Sequence, residues 1–155
     1  MKVVIGSDHA GYSYKSLIGI ALQQQGYQLI DTGVFDYEAT DDYPDRAAEV
    51  ATAIMNKEAY RGILICGSAV GVSIAANKFK GIRAAVCHDT YSAHQSVEHD
   101  DANILCLGER VIGIELAKDI VFTFLNAIHS NELRHKRRLE KIIAIENKNM
   151  KEVVL

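Results

Sequence analysis

The sequence contains no tryptophan, a single proline and no long hydrophobic run. No apolar stretch approaches the ~20 residues that a membrane-spanning helix needs, and the apolar run after Lys2 is too short for a signal peptide. The lone proline, Pro44, leaves no proline-rich linker, and no internal repeat divides the chain. A chain of 155 residues is long enough to bury one sizeable core. These features predict a single cytoplasmic domain over residues 1–155.

The sequence also lacks an excess of charge and a cysteine framework. A net charge of −3 gives no general attraction to nucleic acid or to an anionic membrane, so neither is expected as a partner. The three cysteines, Cys66, Cys87 and Cys106, form no C-x-x-C pair and no zinc-type ligand pair. Their odd number argues against a disulfide framework. We therefore expect reduced thiols.

What the sequence does have is an alternation of short apolar runs with helical patterns. The apolar runs are continuous and rich in β-branched residues, as in parallel strands covered on both faces: KVVIGS (2–7), YQLIDTG (27–33), GILICG (62–67), IRAAVC (82–87) and NILCLG (103–108). Helical patterns lie between and after them, over 14–22, 47–54, 90–101, 117–128 and 132–148. The alternation predicts a doubly wound α/β fold. This is a Rossmann-like, five-stranded parallel sheet with helices on both faces and a C-terminal helix.

Ligands of doubly wound folds bind outside the carboxyl ends of the strands, so the residues that follow each strand are the ones to inspect. Together these strand ends carry a thiol, carboxylates, imidazoles and a guanidinium: Ser7, Asp8 and His9; Cys66, Gly67, Ser68 and Gly71; Cys87, His88 and Asp89; Gly108, Glu109 and Arg110. One edge of the predicted sheet should therefore collect most of the reactive side chains.

The turn after the third strand, residues 67–71, is neither a P-loop nor a dinucleotide-binding turn. It still offers successive backbone N–H groups at a helix start, which favour an anion and would favour the thiolate form of Cys66. A lone cysteine at a strand end is more often a small buried side chain. That interpretation suits Cys87 and Cys106, because no Gly-Ser turn follows either of them.

The histidines and the basic run LRHKRR (133–138) leave alternatives open. His9 lies beside Asp8 at a strand end, whereas His99 lies near the end of a predicted helix, where a structural cation is common. Arg134 and Arg138 are four residues apart and share a helix face, an arrangement that suits a phosphate. A solvated helix face is the alternative. No aromatic residues interleave with the run, which disfavours a nucleic-acid surface.

Four segments together resemble the ribose-5-phosphate isomerase type B family, which includes galactose-6-phosphate and allose-6-phosphate isomerases. They are GSDHAG, ILICGSAVGVSIAANKFKGIRAAVC, HDDANILCLGERVIG and RHKRRLEKI, and the resemblance runs from about Val3 to Glu146. It implies an aldose–ketose isomerase that uses no metal or cofactor and acts on a phosphosugar through a cis-enediolate. It also implies a homodimer or a dimer of dimers, with each active site built from two subunits.

The resemblance implies specific roles for matching residues. Cys66 would be the base that moves a proton between C2 and C1, and Asp8 would handle hydroxyl protons. Ser68 and the amides of Gly67–Gly71 would cradle the oxyanion, and His99 would open the sugar ring. The substrate-binding residues would comprise four phosphate ligands, His9, Arg110, Arg134 and Arg138, and two residues that line the site, Tyr43 and Asn103.

Three residues depart from the family pattern. Ser68 replaces the usual Thr and keeps a hydroxyl, Ala69 replaces a Gly and restricts positive φ, and Asp100 replaces an Asn. Two other functions stay open. The substrate could be a six-carbon sugar phosphate, or the domain could be a non-catalytic module that binds a phosphosugar or nucleotide. A pure binder would need neither Cys66 nor His99.

Overall fold

The computed structural model describes residues 1–33 and 40–150. Within these ranges the chain forms one sheet of five parallel strands: β1 (Lys2–Ser7), β2 (Gln28–Asp31), β3 (Arg61–Cys66), β4 (Ala84–Val86) and β5 (Ile104–Gly108). The strand order is β2-β1-β3-β5-β4, so the chain winds outward in both directions from the centre of the sheet. The predicted doubly wound α/β fold is confirmed.

Six α-helices cover the sheet in the described part of the chain: α1 (Tyr12–Gln24), α2 (Tyr43–Met55), α3 (Val70–Ala76), α4 (Thr90–Asp100), α5 (Ile114–Asn126) and α6 (Leu133–Asn149). Alternate strand residues enter two separate cores. Ile63 and Ile65 pack with α1, α4 and α5 on one face, whereas Leu64 and Cys66 pack with α2 and α3 on the other. This alternation explains the continuous apolar runs of β1, β3 and β5, because these three central strands are buried on both faces.

Local sequence signals set several helix ends. Pro44 lies in the first turn of α2, where its missing N–H has no intrahelical partner to lose. The side chain of Asp89 accepts a hydrogen bond from the amide of Ser92 at 2.7 Å and so caps α4. Gly26 adopts φ +80° just after α1, a conformation that glycine tolerates better than other residues. No helix in the described ranges is long and apolar enough to cross a membrane.

The C-terminal helix α6 differs from the other helices in how little it buries on its own chain. Its only buried residue is His135, and all of α6 lies in the described range. Ile142 and Ile143, which the sequence places on an apolar face, are exposed. Ile128 is 78% exposed because α5 ends at Asn126, two residues before the predicted pattern does.

Candidate active site

A cavity of about 370 Å³ lies at the carboxyl ends of the central strands. Eight of the twelve predicted site residues line it: Asp8, His9, Tyr43, Cys66, Gly67, Ser68, Gly71 and Arg110. The sheet thus gathers side chains that are up to 102 positions apart in the chain, as the fold class predicts for a ligand site. A larger cleft, of about 570 Å³, lies around Arg61, Arg83 and Asp101, and no cysteine lines it.

Cys66 is the last residue of β3 and is 6% exposed, with its sulfur at the edge of this cavity. The backbone N–H of Ala69 donates a hydrogen bond to Sγ at 3.0 Å. A donor aimed at sulfur stabilises a thiolate more than a thiol. The turn after β3 therefore aims a backbone donor at the sulfur of a cysteine that borders the cavity.

Ala69 adopts a left-handed conformation, with φ 72° and ψ −18°. This is the positive φ that an alanine resists, because its Cβ approaches the following carbonyl oxygen. The conformation costs about 1–2 kcal/mol relative to a right-handed one. The turn keeps the shape that a glycine would adopt freely, and that shape is what aims the Ala69 amide at Cys66.

The other two cysteines occupy different surroundings. Cys106 lies within β5 and is fully buried, and burial raises the pKa of its thiol. Cys87 is 2% exposed, and burial raises the pKa of that thiol as well. Both are small buried side chains, as the sequence predicts.

Asp8 caps the short 3-10 turn at His9–Gly11 that follows β1. Its Oδ1 accepts hydrogen bonds from the amides of Ala10 at 3.0 Å and Gly11 at 3.1 Å. Burial raises the pKa of the Asp8 carboxyl above its ordinary value, although His9 and the two amides act in the opposite direction. A carboxyl with a raised pKa beside a cavity is suited to exchanging protons with a ligand hydroxyl.

Asp41 holds a residue of the site, His9, and the sequence did not reveal this contact. Its Oδ1 accepts a hydrogen bond from the backbone N–H of His9 at 3.0 Å and lies 2.7 Å from the His9 ring Nδ1. The Asp41 side chain is 5% exposed, so this contact is held away from solvent. It therefore fixes both the backbone and the ring of His9. No spacing pattern connects positions 9 and 41, and two acidic residues before a helix are usually solvated.

The contact between Gly71 and Tyr43 shows why the turn needs a small residue at position 71. A Cβ built on Gly71 would lie 2.8 Å from the Cε2 and Cζ atoms of the Tyr43 ring. Such an approach is too close for real carbon atoms, so any side chain at residue 71 would push the ring away. The aromatic ring therefore closes one wall of the cavity only because residue 71 is glycine.

Four predicted residues do not line this cavity in the same chain: His99, Asn103, Arg134 and Arg138. His99 lies near the end of α4, and Asn103 lies just before β5, at the amino-terminal edge of the sheet. The five residues of β5 span about 16 Å, which separates this edge from Cys66. Asn103 is engaged in loop structure there, since its side chain accepts from the Arg83 amide and donates to the Gly81 carbonyl, each at 2.8 Å.

Arg134 and Arg138 lie on the exposed surface of α6. Arg134 Nε donates to Glu132 Oε2 at 2.8 Å. Both guanidiniums are exposed, and neither lines the cavity at Cys66. In the described ranges, no group of three or more His, Cys, Asp and Glu residues could hold a metal ion.

The fold and the site together define a small α/β enzyme whose reactive groups lie at the carboxyl edge of a parallel sheet. Residues 3–142 match the family model described as Ribose/Galactose Isomerase, which is most of the chain. The chain belongs to this family of isomerases, and the resemblance seen in the sequence is confirmed.

Curated relatives carry more than one name. The chain is 48% identical over 147 residues to ribose-5-phosphate isomerase B of Escherichia coli, covering 95% of this chain and 97% of that protein. It is 40% identical over 148 residues to D-erythrulose-4-phosphate isomerase 2 of Mycolicibacterium smegmatis, covering 94% and 97%.

Solved structures share the fold over nearly the whole chain. Ribose-5-phosphate isomerase B of Clostridium thermocellum superposes with a TM-score of 0.92 at 53% identity, covering 96% of this chain and 99% of that one. The Mycoplasma genitalium enzyme of the same name, solved with bound ribulose 5-phosphate, gives a TM-score of 0.90 at 40% identity, covering 95% and 97%.

Proposed function

We propose that this isomerase interconverts ribose 5-phosphate and ribulose 5-phosphate through a cis-enediolate. The observation that carries the proposal is the sulfur of Cys66, which lies at the cavity edge and accepts the Ala69 amide at 3.0 Å. Moving a hydrogen from one carbon to its neighbour beside a carbonyl needs such a base. The names of the relatives supply the substrate.

In this mechanism the thiolate of Cys66 removes the proton from C2 of the open-chain aldose and returns it to C1. The bonding electrons of the C2–H bond form the enediolate, and the carbonyl oxygen at C1 becomes the oxyanion. The hydroxyl of Ser68 and the amides of residues 67–71 donate to that oxygen as its charge develops. Asp8 carries the proton that must move between the two hydroxyl oxygens.

Substrate recognition in this proposal involves two copies of the chain. His9 and Arg110 would contact the phosphate from the chain that supplies Cys66, and Tyr43 would line the sugar. His99, Arg134 and Arg138 would come from the partner, because none of them lines the cavity of its own chain. Asn103 would line the site from the same side. A homodimer, alone or paired into a tetramer, meets this requirement.

His99 would open the sugar ring before the thiolate acts. Ribose 5-phosphate is mostly a closed furanose, whereas ribulose 5-phosphate cannot close through its blocked 5-oxygen. A neutral imidazole can take the anomeric hydroxyl proton, and its conjugate acid can give a proton to the ring oxygen. His99 is therefore needed when the reaction starts from the aldose.

The sugar length is tested by direct competition. Ribose 5-phosphate, allose 6-phosphate, galactose 6-phosphate and D-erythrulose 4-phosphate are assayed separately and as competitors, with EDTA present. We expect the highest kcat/KM for ribose 5-phosphate and no loss on chelation. The relative named for D-erythrulose 4-phosphate makes the four-carbon sugar the second candidate.

Three outcomes would contradict the proposal. A higher kcat/KM for a four- or six-carbon substrate would reassign the substrate, and activity that returns only with an added divalent ion would refute the metal-free mechanism. Saturable binding of all sugars without turnover would indicate a binding module. In that last case Cys66→Ala would leave the binding affinity unchanged and have no activity to remove.

A further inference from the structure

A buried imidazole lies in α6 at a point where an apolar side chain would fill the same space. His135 is 1% exposed, and burial lowers the pKa of its imidazole. Its Nδ1 lies 2.6 Å from the hydroxyl oxygen of Ser130, while Nε2 has no hydrogen-bond partner among the described residues. A buried polar ring with an unsatisfied nitrogen is costly, so its presence calls for an explanation.

His135 lies directly against His99. The two ring centroids are 3.9 Å apart, and the ring planes are inclined by 35°. The contact joins α6 to the end of α4, and His135 is the only residue that α6 buries. The ring of His99 therefore has one face fixed by another ring.

Ser130 ties this arrangement together. Its hydroxyl contacts His135 Nδ1, and its backbone N–H donates to the carbonyl of Glu98 at 3.0 Å. Glu98 directly precedes His99 in α4. One residue thus connects the stacked imidazole to the backbone that carries His99. These contacts hold the backbone next to His99 and one face of its ring.

We propose that His135 is a positioning residue for His99, holding its ring in the plane that ring opening of the aldose requires, with Ser130 orienting His135. This inference rests on the proposed function, because it assumes that His99 opens the ring. Groups that transfer protons must be held within roughly 10–20° of their productive orientation. A misplacement of 1 Å can cost on the order of 100-fold in rate. A flat buried ring restricts His99 in a way that an aliphatic side chain would not.

The test compares His135→Leu with His135→Phe in both reaction directions. Leu fills the space without a flat face, whereas Phe keeps a ring to stack and removes both nitrogens. From ribose 5-phosphate, we expect His135→Leu to lower kcat about 10-fold. From ribulose 5-phosphate it should lower kcat by less than 2-fold, because the ketose needs no ring opening. His135→Phe should recover most of the aldose-side loss, and Lys136→Ala, on the exposed face of α6, should change neither rate.

Equal proportional losses in the two directions for His135→Leu, or no loss, would overturn the proposal and leave His135 a structural residue. If His135→Leu does not fold, Ser130→Ala decides by the same criterion. A selective aldose-side loss of about 3-fold supports the proposal, and an unchanged ratio of the two rates overturns it. His99→Asn tests the ring-opening role of His99 separately from the positioning role of His135. If that variant loses both directions equally, the ring-opening role itself falls. If only His99→Asn is direction-selective, the proposed function stands and the role of His135 is wrong.

Discussion

At the scale of single residues, the three cysteines show how little the residue type alone decides. All three thiols are buried, but only Cys66 borders the cavity and accepts a backbone amide at its sulfur. Burial raises the pKa of the Cys87 and Cys106 thiols, which keeps them protonated and unreactive. Of the three thiols, only that of Cys66 should therefore react with alkylating reagents.

Cys66→Ala should lower kcat by about 10²–10⁴-fold, the usual contribution of a positioned base. Iodoacetamide should alkylate Cys66 in the unmodified protein, abolish activity and react more slowly when substrate is present. Mass spectrometry of the alkylated peptide checks the site. Cys87→Ala is the control, since it removes a buried thiol and should keep both activity and alkylation at Cys66. A near-normal kcat in Cys66→Ala would transfer the role of base to another group, with Asp8 the first to test.

Asp8→Asn should stabilise the protein at neutral pH while lowering its activity. The pKa of Asp8 is raised in the fold, so above that pKa the folded state holds a buried carboxylate that the unfolded chain solvates more easily. As the pH falls through the raised pKa, the carboxylate is protonated and its cost disappears. The melting temperature of the variant should exceed that of the parent at pH 7, by about 2–4 °C for each ~1 kcal/mol.

The difference in melting temperature should shrink as the pH approaches the ordinary pKa of an aspartate, about 3.9. Thermal melts between pH 4 and pH 7 measure it, with Asp45→Asn, an exposed residue of α2, as the charge control. A melting temperature that falls at pH 7 would mean that the ionised Asp8 is stabilising and that its hydrogen bonds outweigh its burial.

At the scale of elements, the turn between β3 and α3 contains both residues that line the cavity and a residue in a strained conformation, Ala69. Ala69→Gly should relieve the left-handed conformation at that residue, where a non-glycine residue costs about 1–2 kcal/mol. Part of the gain is offset by lost burial of the Ala69 methyl and by the greater freedom of an unfolded glycine. We expect a net gain of up to about 1 kcal/mol, or a 2–4 °C rise in melting temperature.

Ala75→Gly is the matched control, because it makes the same change within the helical part of α3. It should destabilise by roughly 0.5–1 kcal/mol, the usual cost of glycine inside a helix. Opposite signs for the two variants would demonstrate strain at residue 69. Equal destabilisation would show that the turn holds Ala69 without strain.

The sequence predicts the elements correctly where burial sets the hydrophobic pattern. It does not predict features that depend on a single contact between distant residues. The apolar runs located all five strands, most clearly β1, β3 and β5, because a strand buried on both faces has few polar positions. The fourth strand is shorter than its apolar run, since it begins only at Ala84. The amide of Arg83 is bonded instead to the Asn103 side chain at 2.8 Å. The clamp of Asp41 on His9 joins distant positions and had no local signal.

The amphipathic pattern of α6 correctly predicted a helix, but it did not predict that the apolar face would lie exposed on the single chain. Ile142 and Ile143 lie on a face that stays exposed in the single chain. Periodicity indicates which residues share a helix face, and it does not indicate which surface covers that face. The same limit applies to His99, whose distance from Cys66 depends on the connection of α4 to β5 and not on spacing in the sequence.

At the scale of the whole molecule, the separation of Cys66 from His99 predicts complementation between two inactive variants. Cys66→Ala and His99→Asn should each be slow from ribose 5-phosphate. After the two proteins are unfolded, mixed and refolded together, mixed pairs should contain one site with both native residues. Random pairing gives about a quarter of the parent activity. Analytical ultracentrifugation checks that pairs form. A mixture no more active than its components would place Cys66 and His99 in the same site of one chain.

The weak attachment of α6 to its own chain has a consequence for how the protein behaves on dilution. On its own chain α6 buries only His135. Its exposed apolar side chains, Ile142 and its neighbours, become buried only when another surface covers them. If that surface is a second copy, mass action links association of the copies to substrate affinity, since a ligand held by both chains also holds the chains together. The turnover per molecule then falls as the enzyme is diluted, and saturating substrate shifts the onset of that fall to lower enzyme concentrations.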